Sequence, residues 1–300
     1  MHKPFLTVII PTFNRSTCLE LCLERLFSQN LSKDSFEIIV VNDGSTDDTE
    51  NVLKKFKQRE NFRYFHQKNS GQGNARNFAI NHAEGQVILF IGDDIYAEEG
   101  FLQKHVDFHL DNPQINYSCL GRIEWFPENQ ITSFMEWLTN GGPQFAYQKL
   151  IDSKEASFWY FYTSNISIKK EILLNEKFDP DFKSYGWEDI ELAYRLKNKF
   201  DLKIIYKSNI LAYHDHQISE DSLKKRMISI GKSAKIFEYK AKNLNVVPKG
   251  IKLVLLTLIS SRISLLFLWI LKYLINNPFQ KYYWYALSKR YFLIGLKNVK

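Results

Sequence analysis

Residues 87 to 95 read VILFIGDDI: five apolar residues, one glycine, then two adjacent carboxylates before Ile95. An unbroken apolar run of this length fits a buried strand. Gly and Asp are ordinary loop residues, and a strand must end somewhere. The two charges at its end gain meaning only from the rest of the chain.

Upstream, the same arrangement occurs twice. FLTVII (5 to 10) empties into PTFNRST, and FEIIVV (36 to 41) into NDGSTDDT. Between them, TCLELCLERLF (17 to 27) has helical periodicity, with Thr17 and Glu20 in capping-box spacing. A helix near TENVLKKFK, a short strand FRYFH (62 to 66) and a helix opened by the Gly-rich NSGQGNARN (69 to 77) and running to about His82 lead into the strand that ends at Asp93. Strands and helices alternating at this pitch predict βαβ crossovers and a largely parallel sheet. Ligands of such sheets bind in the crevice outside the carboxyl ends of the strands. Thr12 to Arg15, Asn42 to Thr46 and Gly92 to Asp94 all follow strands, so they should converge on one rim.

PTFNRST contains no glycine, so the dinucleotide fingerprint is missing, which argues against a dehydrogenase. GQGN at 71 to 74 lacks the third glycine and follows the third strand. Phosphates not cradled by a glycine loop need another neutralising device, and paired Asp residues holding a divalent metal would supply one.

The chain of 300 residues is long enough for a sizeable α/β domain with an appendage. Cys18, Cys22 and Cys119 are an odd count, so a reducing compartment is expected rather than a disulfide framework. The opening MHKPFLTVIIPTFNR reads as a first strand, not a secretory signal, because Pro11 and polar residues stop its apolar run. The formal charge of +7 is unevenly divided: residues 221 to 300 hold sixteen Lys and Arg against two acids, and residues 1 to 220 hold twenty-four against thirty-one. An acidic body therefore precedes a strongly basic tail.

TVIIPTFNR, VVNDGSTDDT, SGQGNARNFAI, VILFIGDDI and GWEDIELAYRL together resemble, in order and spacing, the family 2 glycosyltransferases. The resemblance covers roughly residues 5 to 215. It implies the GT-A fold, an α/β Rossmann-like domain with a mostly parallel central sheet, and an inverting transfer from a nucleotide-sugar to an acceptor hydroxyl. Asp43 would contact the base, with Thr12 and Arg76 lining the nucleotide pocket. Asp93 and Asp94 occupy the family's metal-binding acidic motif, for Mg²⁺ or Mn²⁺. Neighbouring residues of extended chain point in different directions, so Asp94 is assigned to the metal and Asp93 to the ribose or a metal-bound water. Gly92 stands where the family often has a third Asp. Asp189 resembles the general base, His214 or His216 a further metal ligand, and Asn165, Trp187 and Glu188 fall on the acceptor side.

In the tail, KGIKLVLLTLISSRISLLFLWILKYLI carries an apolar span from Leu253 to Ile275, long enough for a bilayer, with Arg262 near its middle. Thr257, Ser261 and Ser264 would share one helical face. A spanning helix, a helix lying in the interface and a hairpin broken near Ser260 all fit. The closing FQKYYWYALSKRYFLIGLKNVK has the composition of an interfacial anchor. Nucleic acid would suit the charge but would leave the apolar run unexplained, so the expected partner is a membrane surface or bilayer. The sequence thus predicts a GT-A domain over residues 1 to 220 and a basic, helical, membrane-associated region over 221 to 300, at the cytoplasmic face, acting on a lipid-linked or cell-surface glycan. Because every donor motif precedes Gln217, the tail should be separable. Two alternatives stay open: a metal-dependent nucleotidyltransferase, and a membrane-bound nucleotide-sugar binder without activity.

Overall fold

The computed structural model describes residues 3–274 and 278–297. The first part alternates as the sequence predicts: β1 (Leu6–Thr12), α1 (Ser16–Phe27), β2 (Phe36–Asn42), α2 (Thr49–Phe56), β3 (Phe62–His66), α3 (Gln72–His82) and β4 (Val87–Ile91). There follow β5 (Ile95–Ala97), α4 (Phe101–Asp111), β6 (Tyr117–Trp125), α5 (Ser133–Thr139), β7 (Glu155–Ala156), β8 (Asn165–Lys169), α6 (Lys170–Asn175), α7 (Glu188–Phe200) and β9 (Lys203–His214). The chain continues through α8 (Glu220–Lys240), α9 (Gly250–Ile259), α10 (Arg262–Leu274) and α11 (Pro278–Lys297).

The strands form one sheet in the order β3-β2-β1-β4-β8-β6-β9-β5, with β7 pairing β9. β3, β2, β1 and β4 are parallel; β8 runs antiparallel to both β4 and β6. Every residue of β2 and β4 is buried, the mark of strands covered on both faces. The capping box expected at Thr17 and Glu20 does not form. The N-cap of α1 is Arg15, the Ser16 amide donates to Asp47 Oδ2 across the rim (3.0 Å), and Glu20 pairs with Lys55 of α2 (2.5 Å). The helix starts one residue earlier than the box requires, and a tertiary partner has taken its Glu20 end.

Cα packing divides the chain into two compact units. One contains the residues up to Gln130 with Tyr147–Lys183 and Asp189–His216; the other contains Ile131–Ala146, Ser184–Glu188 and the chain from Gln217 onward. In the second unit, α8 and α11 cross at Gly231 and Gly295. A Cβ on Gly231 would overlap the Phe292 carbonyl oxygen, and one on Gly295 that of Ile228. Phe134 and Trp137 of α5 pack on Trp284 of α11, with ring centroids 5.3 and 5.8 Å apart. The 184–188 stretch is held to α8 by Trp187 Nε1 donating to Ile230 O (3.0 Å) and Arg226 donating to Tyr185 Oη (2.6 Å).

The apolar tail is bent. α9 and α10 meet at 50°, and no single helix among the described residues is long and apolar enough to cross a membrane, although the bent pair together passes by length and composition. Thr257, Ser261 and Ser264 do not share one helix face. Ser260 Oγ donates to Leu256 O at the end of α9 (2.6 Å), and Ser261 Oγ caps α10 by accepting from Ser264 N (3.1 Å). Short polar side chains have bonded the backbone and ended one helix while starting the next. Neither helix buries a residue. Arg262 is the exposed first residue of α10, and Ile275 lies outside the described residues.

Candidate active site

Because β1, β2 and β4 are parallel neighbours, the turns after them leave the sheet on one edge. Hydrogen bonds tie those turns together: Asp43 N donates to Thr12 O (2.9 Å), Asn14 N to Ser45 Oγ (2.9 Å) and Thr46 N to Asn14 Oδ1 (2.7 Å). The three polar clusters read from the sequence do meet on one rim.

The two acids after β4 diverge. Asp93 turns inward, 7% exposed, and its Oδ2 accepts from Thr12 Oγ1 at 2.7 Å. Asp94 presents Oδ2 to three cationic or potentially cationic groups: the Arg15 guanidinium through Nη1, His214 Nε2 at 3.2 Å and His216 Nδ1 at 3.6 Å. Burial, reinforced by the Asp94 charge, pushes the Asp93 carboxyl up to about 7. Burial would also raise Asp94, but His214, His216 and Arg15 overcome it and hold that carboxyl well below its usual range. Two neighbouring carboxylates are thereby made chemically distinct. Gly92 contributes by having no side chain: a Cβ there would stand 2.7 Å from Asp94 Oδ1. An acid at Gly92 would displace the Asp94 carboxylate from this position.

The histidines arrive together because alternate residues of extended chain share a face. His214 ends β9, paired with Ile95 of β5 and Trp125 of β6. Its ring stacks on His216 (5.6 Å) and on Trp125 (5.2 Å). Asp215, between them, is turned aside: its carboxylate accepts from Tyr96 Oη (2.6 Å) and Asn129 Nδ2 (2.8 Å), while its amide donates to Asp94 O (2.9 Å). Sequence reading placed Arg15 on the rim without giving it a role, and it missed the Tyr96–Asp215–Asn129 clasp, whose one signal was the Asp between two histidines.

Ligand atoms of Asp94, His214 and His216 lie within 4.8 Å of one another, so one carboxylate oxygen and two imidazole nitrogens could close on a single ion. Arg15 already brings a cation to the same oxygen. This donor set fits a divalent ion, and its two nitrogens favour a first-row transition ion over Mg²⁺.

The other expected residues are dispersed in role. Asp43, 4% exposed, has both oxygens occupied by the loop before α3: Oδ1 accepts from Gln67 Nε2 (2.6 Å) and Ser70 N (2.9 Å), and Oδ2 from Gly71 N (2.9 Å). It therefore shapes the rim. Arg76 of α3 is buried, its guanidinium 5.4 Å from the centre of the Phe178 ring. Asn165 is corrected outright. It is fully buried; its Nδ2 donates to Arg122 O (3.1 Å) and Ile210 O (3.0 Å), and its Oδ1 meets His105 Nε2 (3.0 Å). The β6–β9 register shifts at Gly121 and Arg122, and Asn165 satisfies carbonyls beside that irregularity instead of facing an acceptor. Trp187, at φ +74°, and buried Glu188 belong to the second unit; Asp189, half-buried, stands in the first turn of α7 within the first.

Comparison with known proteins supplies the context for this site. A family model described as "Glycosyl transferase family 2" matches residues 7–200. A validoxylamine A glucosyltransferase of Streptomyces hygroscopicus subsp. jinggangensis is 28% identical over 65% of this chain and 52% of its own length. The chain thus spans about half of that relative. A dolichyl N-acetyl-α-D-glucosaminyl phosphate 3-β-D-2,3-diacetamido-2,3-dideoxy-β-D-glucuronosyltransferase of Methanococcus voltae is 28% identical over 91% of this chain and 86% of its own length. Among solved structures, the mannosyltransferase PcManGT of Pyrobaculum calidifontis, determined with GDP-Man and Mn²⁺, superposes with a TM-score of 0.63 at 17% identity, covering 98% of this chain and 86% of that one. The architecture is that of the GT-A fold, and with the family match spanning residues 7–200, the chain belongs to glycosyl transferase family 2.

Proposed function

We propose that this protein transfers a sugar from a nucleotide-sugar, with inversion, to the hydroxyl of a lipid-linked or cell-surface glycan. The observation that carries the reading is the Asp94–His214–His216 group at the carboxyl ends of the strands. Asp94 and the two histidines would hold a divalent ion, Mn²⁺ in preference to Mg²⁺. Such an ion would supply Lewis-acid neutralisation of the departing diphosphate. Asp93, oriented by Thr12, would receive the ribose or a water of the bound ion, while Asp43 and Arg76 shape the base pocket. Asp189 takes the proton of the acceptor hydroxyl as its oxygen bonds to the anomeric carbon and the bond from that carbon to the diphosphate breaks. Trp187 and Glu188 line the acceptor approach.

Residues 1 to 220 carry this chemistry, and 221 to 300 attach it to the cytoplasmic face of a membrane. The attachment reading is supported by the tail's charge and by outward-facing Ile251, Leu258, Ile263, Phe267 and Leu274 on helices of 10 and 13 residues. At 1.5 Å per residue each helix by itself reaches about 15 or 20 Å, short of a ~30 Å hydrocarbon core, and with their bend this favours a pair lying in the interface over a straight span. The Methanococcus relative is named for dolichyl N-acetyl-α-D-glucosaminyl phosphate, which supports a lipid-linked acceptor.

Thermal-shift screening of UDP-, GDP- and dTDP-sugars with Mn²⁺, followed by donor hydrolysis with the stabilising sugar, tests the reaction. Release of the nucleoside diphosphate that depends on Mn²⁺ and is lost in Asp94→Asn is expected. Release of pyrophosphate would establish a nucleotidyltransferase instead. Flotation with vesicles rich in anionic lipid tests the attachment, which should weaken as salt rises, since each Lys or Arg near such a surface contributes about 1 kcal/mol.

A further inference from the structure

Arg15 stands at a peculiar place in this site. Its Nη1 bonds Asp94 Oδ2, the same oxygen that faces both histidines, and its Nε lies 4.0 Å from Asp93 Oδ1. The side chain is 33% exposed and springs from the turn between β1 and α1, so it can move without disturbing the core. Three physical facts act on it together. Adjacent carboxylates that are nearly buried require a counter-cation when no ion is bound. A divalent ion held by Asp94, His214 and His216 would use the lone pairs that Arg15 now occupies and would repel the guanidinium at close range. Finally, a guanidinium displaced from a carboxylate has the planar fork that suits phosphate oxygens, and a nucleoside diphosphate brings such oxygens to the ion.

We propose that Arg15 is the resident counter-cation of Asp94, yielding that carboxylate to the divalent ion and turning its guanidinium to the phosphates of the incoming nucleotide. The inference rests on the metal site assigned under the proposed function. It adds an exchange of partners by one residue of this chain. Arg15 opposes the ion before the nucleotide arrives and helps to hold the nucleotide afterwards, so ion and nucleotide bind together more readily than the ion alone.

Binding of Mn²⁺ alone, and of UDP and GDP at saturating Mn²⁺, is to be measured on the full chain for the parent, Arg15→Ala, Arg15→Lys and Asp94→Asn. The expected signature has opposite signs. Arg15→Ala binds Mn²⁺ alone about tenfold tighter, or ~1.4 kcal/mol, and the better-bound nucleotide about tenfold weaker. A residue of merely structural importance would weaken both. Arg15→Lys keeps the charge without the fork, so it retains the parent's Mn²⁺ affinity and loses nucleotide affinity; tightening of Mn²⁺ equal to that of Arg15→Ala would refute charge competition. Mn²⁺ binding that is unchanged or weaker in Arg15→Ala overturns the proposal, and tighter Mn²⁺ with unaltered nucleotide affinity overturns its phosphate half. Undiminished Mn²⁺ binding by Asp94→Asn would instead sink the metal assignment itself, separately from the role of Arg15.

Discussion

Asp93→Asn should stabilise the metal-free protein, and by more at pH 8 than at pH 5. The reason lies in the 7% exposed carboxyl beside Asp94, whose titration is pushed up to about 7 by burial and by that neighbouring charge. In the unfolded chain an Asp loses its proton near pH 3.9. Between that value and 7 the folded state holds a proton that the unfolded state has released, so stability falls as pH rises through the window and is flat above it. From pH 5 to 7 the interval is about two units, and at 1.36 kcal/mol per unit the loss is roughly 2 to 3 kcal/mol. Asn is nearly isosteric, its Oδ1 can still accept from Thr12 Oγ1, and it does not ionise, so the variant should escape this loss. Asp94, held well below its usual range, stays ionised throughout the window and adds no slope there. Urea denaturation of parent and variant with EDTA, at pH 5 and pH 8, measures the difference and cancels the titrations that both chains share. An advantage for Asp93→Asn that does not grow between pH 5 and pH 8 would refute the burial-driven asymmetry of the acid pair.

Asp189→Asn is expected to lower turnover by about a hundredfold or more while nucleotide-sugar binding persists, since general-base catalysis typically contributes 10² to 10⁴; calorimetric titration beside initial rates checks it, and lost donor binding would point to a different role. Gly231→Val should lower the melting temperature sharply, because its side chain would overlap the Phe292 carbonyl oxygen where α8 crosses α11; overpacking of this kind costs about 1 to 3 kcal/mol or more, and unaltered melting would show that the helices can part. A chain ending at Gln217 should aggregate, contrary to the separability suggested by motif order. It leaves Phe134 and Trp137 without Trp284, and Trp187 without the Ile230 carbonyl. Light scattering and size exclusion decide the matter, a well-behaved monomer being the adverse result.

By itself the sequence determined the alternation of elements, the parallel half of the sheet and the rim on which Thr12, Asp43, Asp93 and Asp94 meet. Those features follow from short-range causes. Unbroken apolar runs make doubly covered strands, parallel strands need crossovers, and the turns after such strands must leave on one edge. By resemblance it also marked His214 or His216 as a metal ligand; that both face Asp94 came from the fold. Tertiary structure alone decided the partners. Of the expected Thr17 and Glu20 box, Glu20 went to Lys55 while Asp47 accepted from the Ser16 amide, and Asn165 went to the carbonyls beside a register shift that no local pattern announces. The tail's serines became a bend because each found a backbone group to bond. The unequal fates of Asp93 and Asp94 belong to the same class: identical side chains one residue apart differ only in what stands opposite, Thr12 for one, Arg15 and two histidines for the other. Charge and burial act through space, and residues 12, 15, 214 and 216 reach these carboxylates only after the chain has folded.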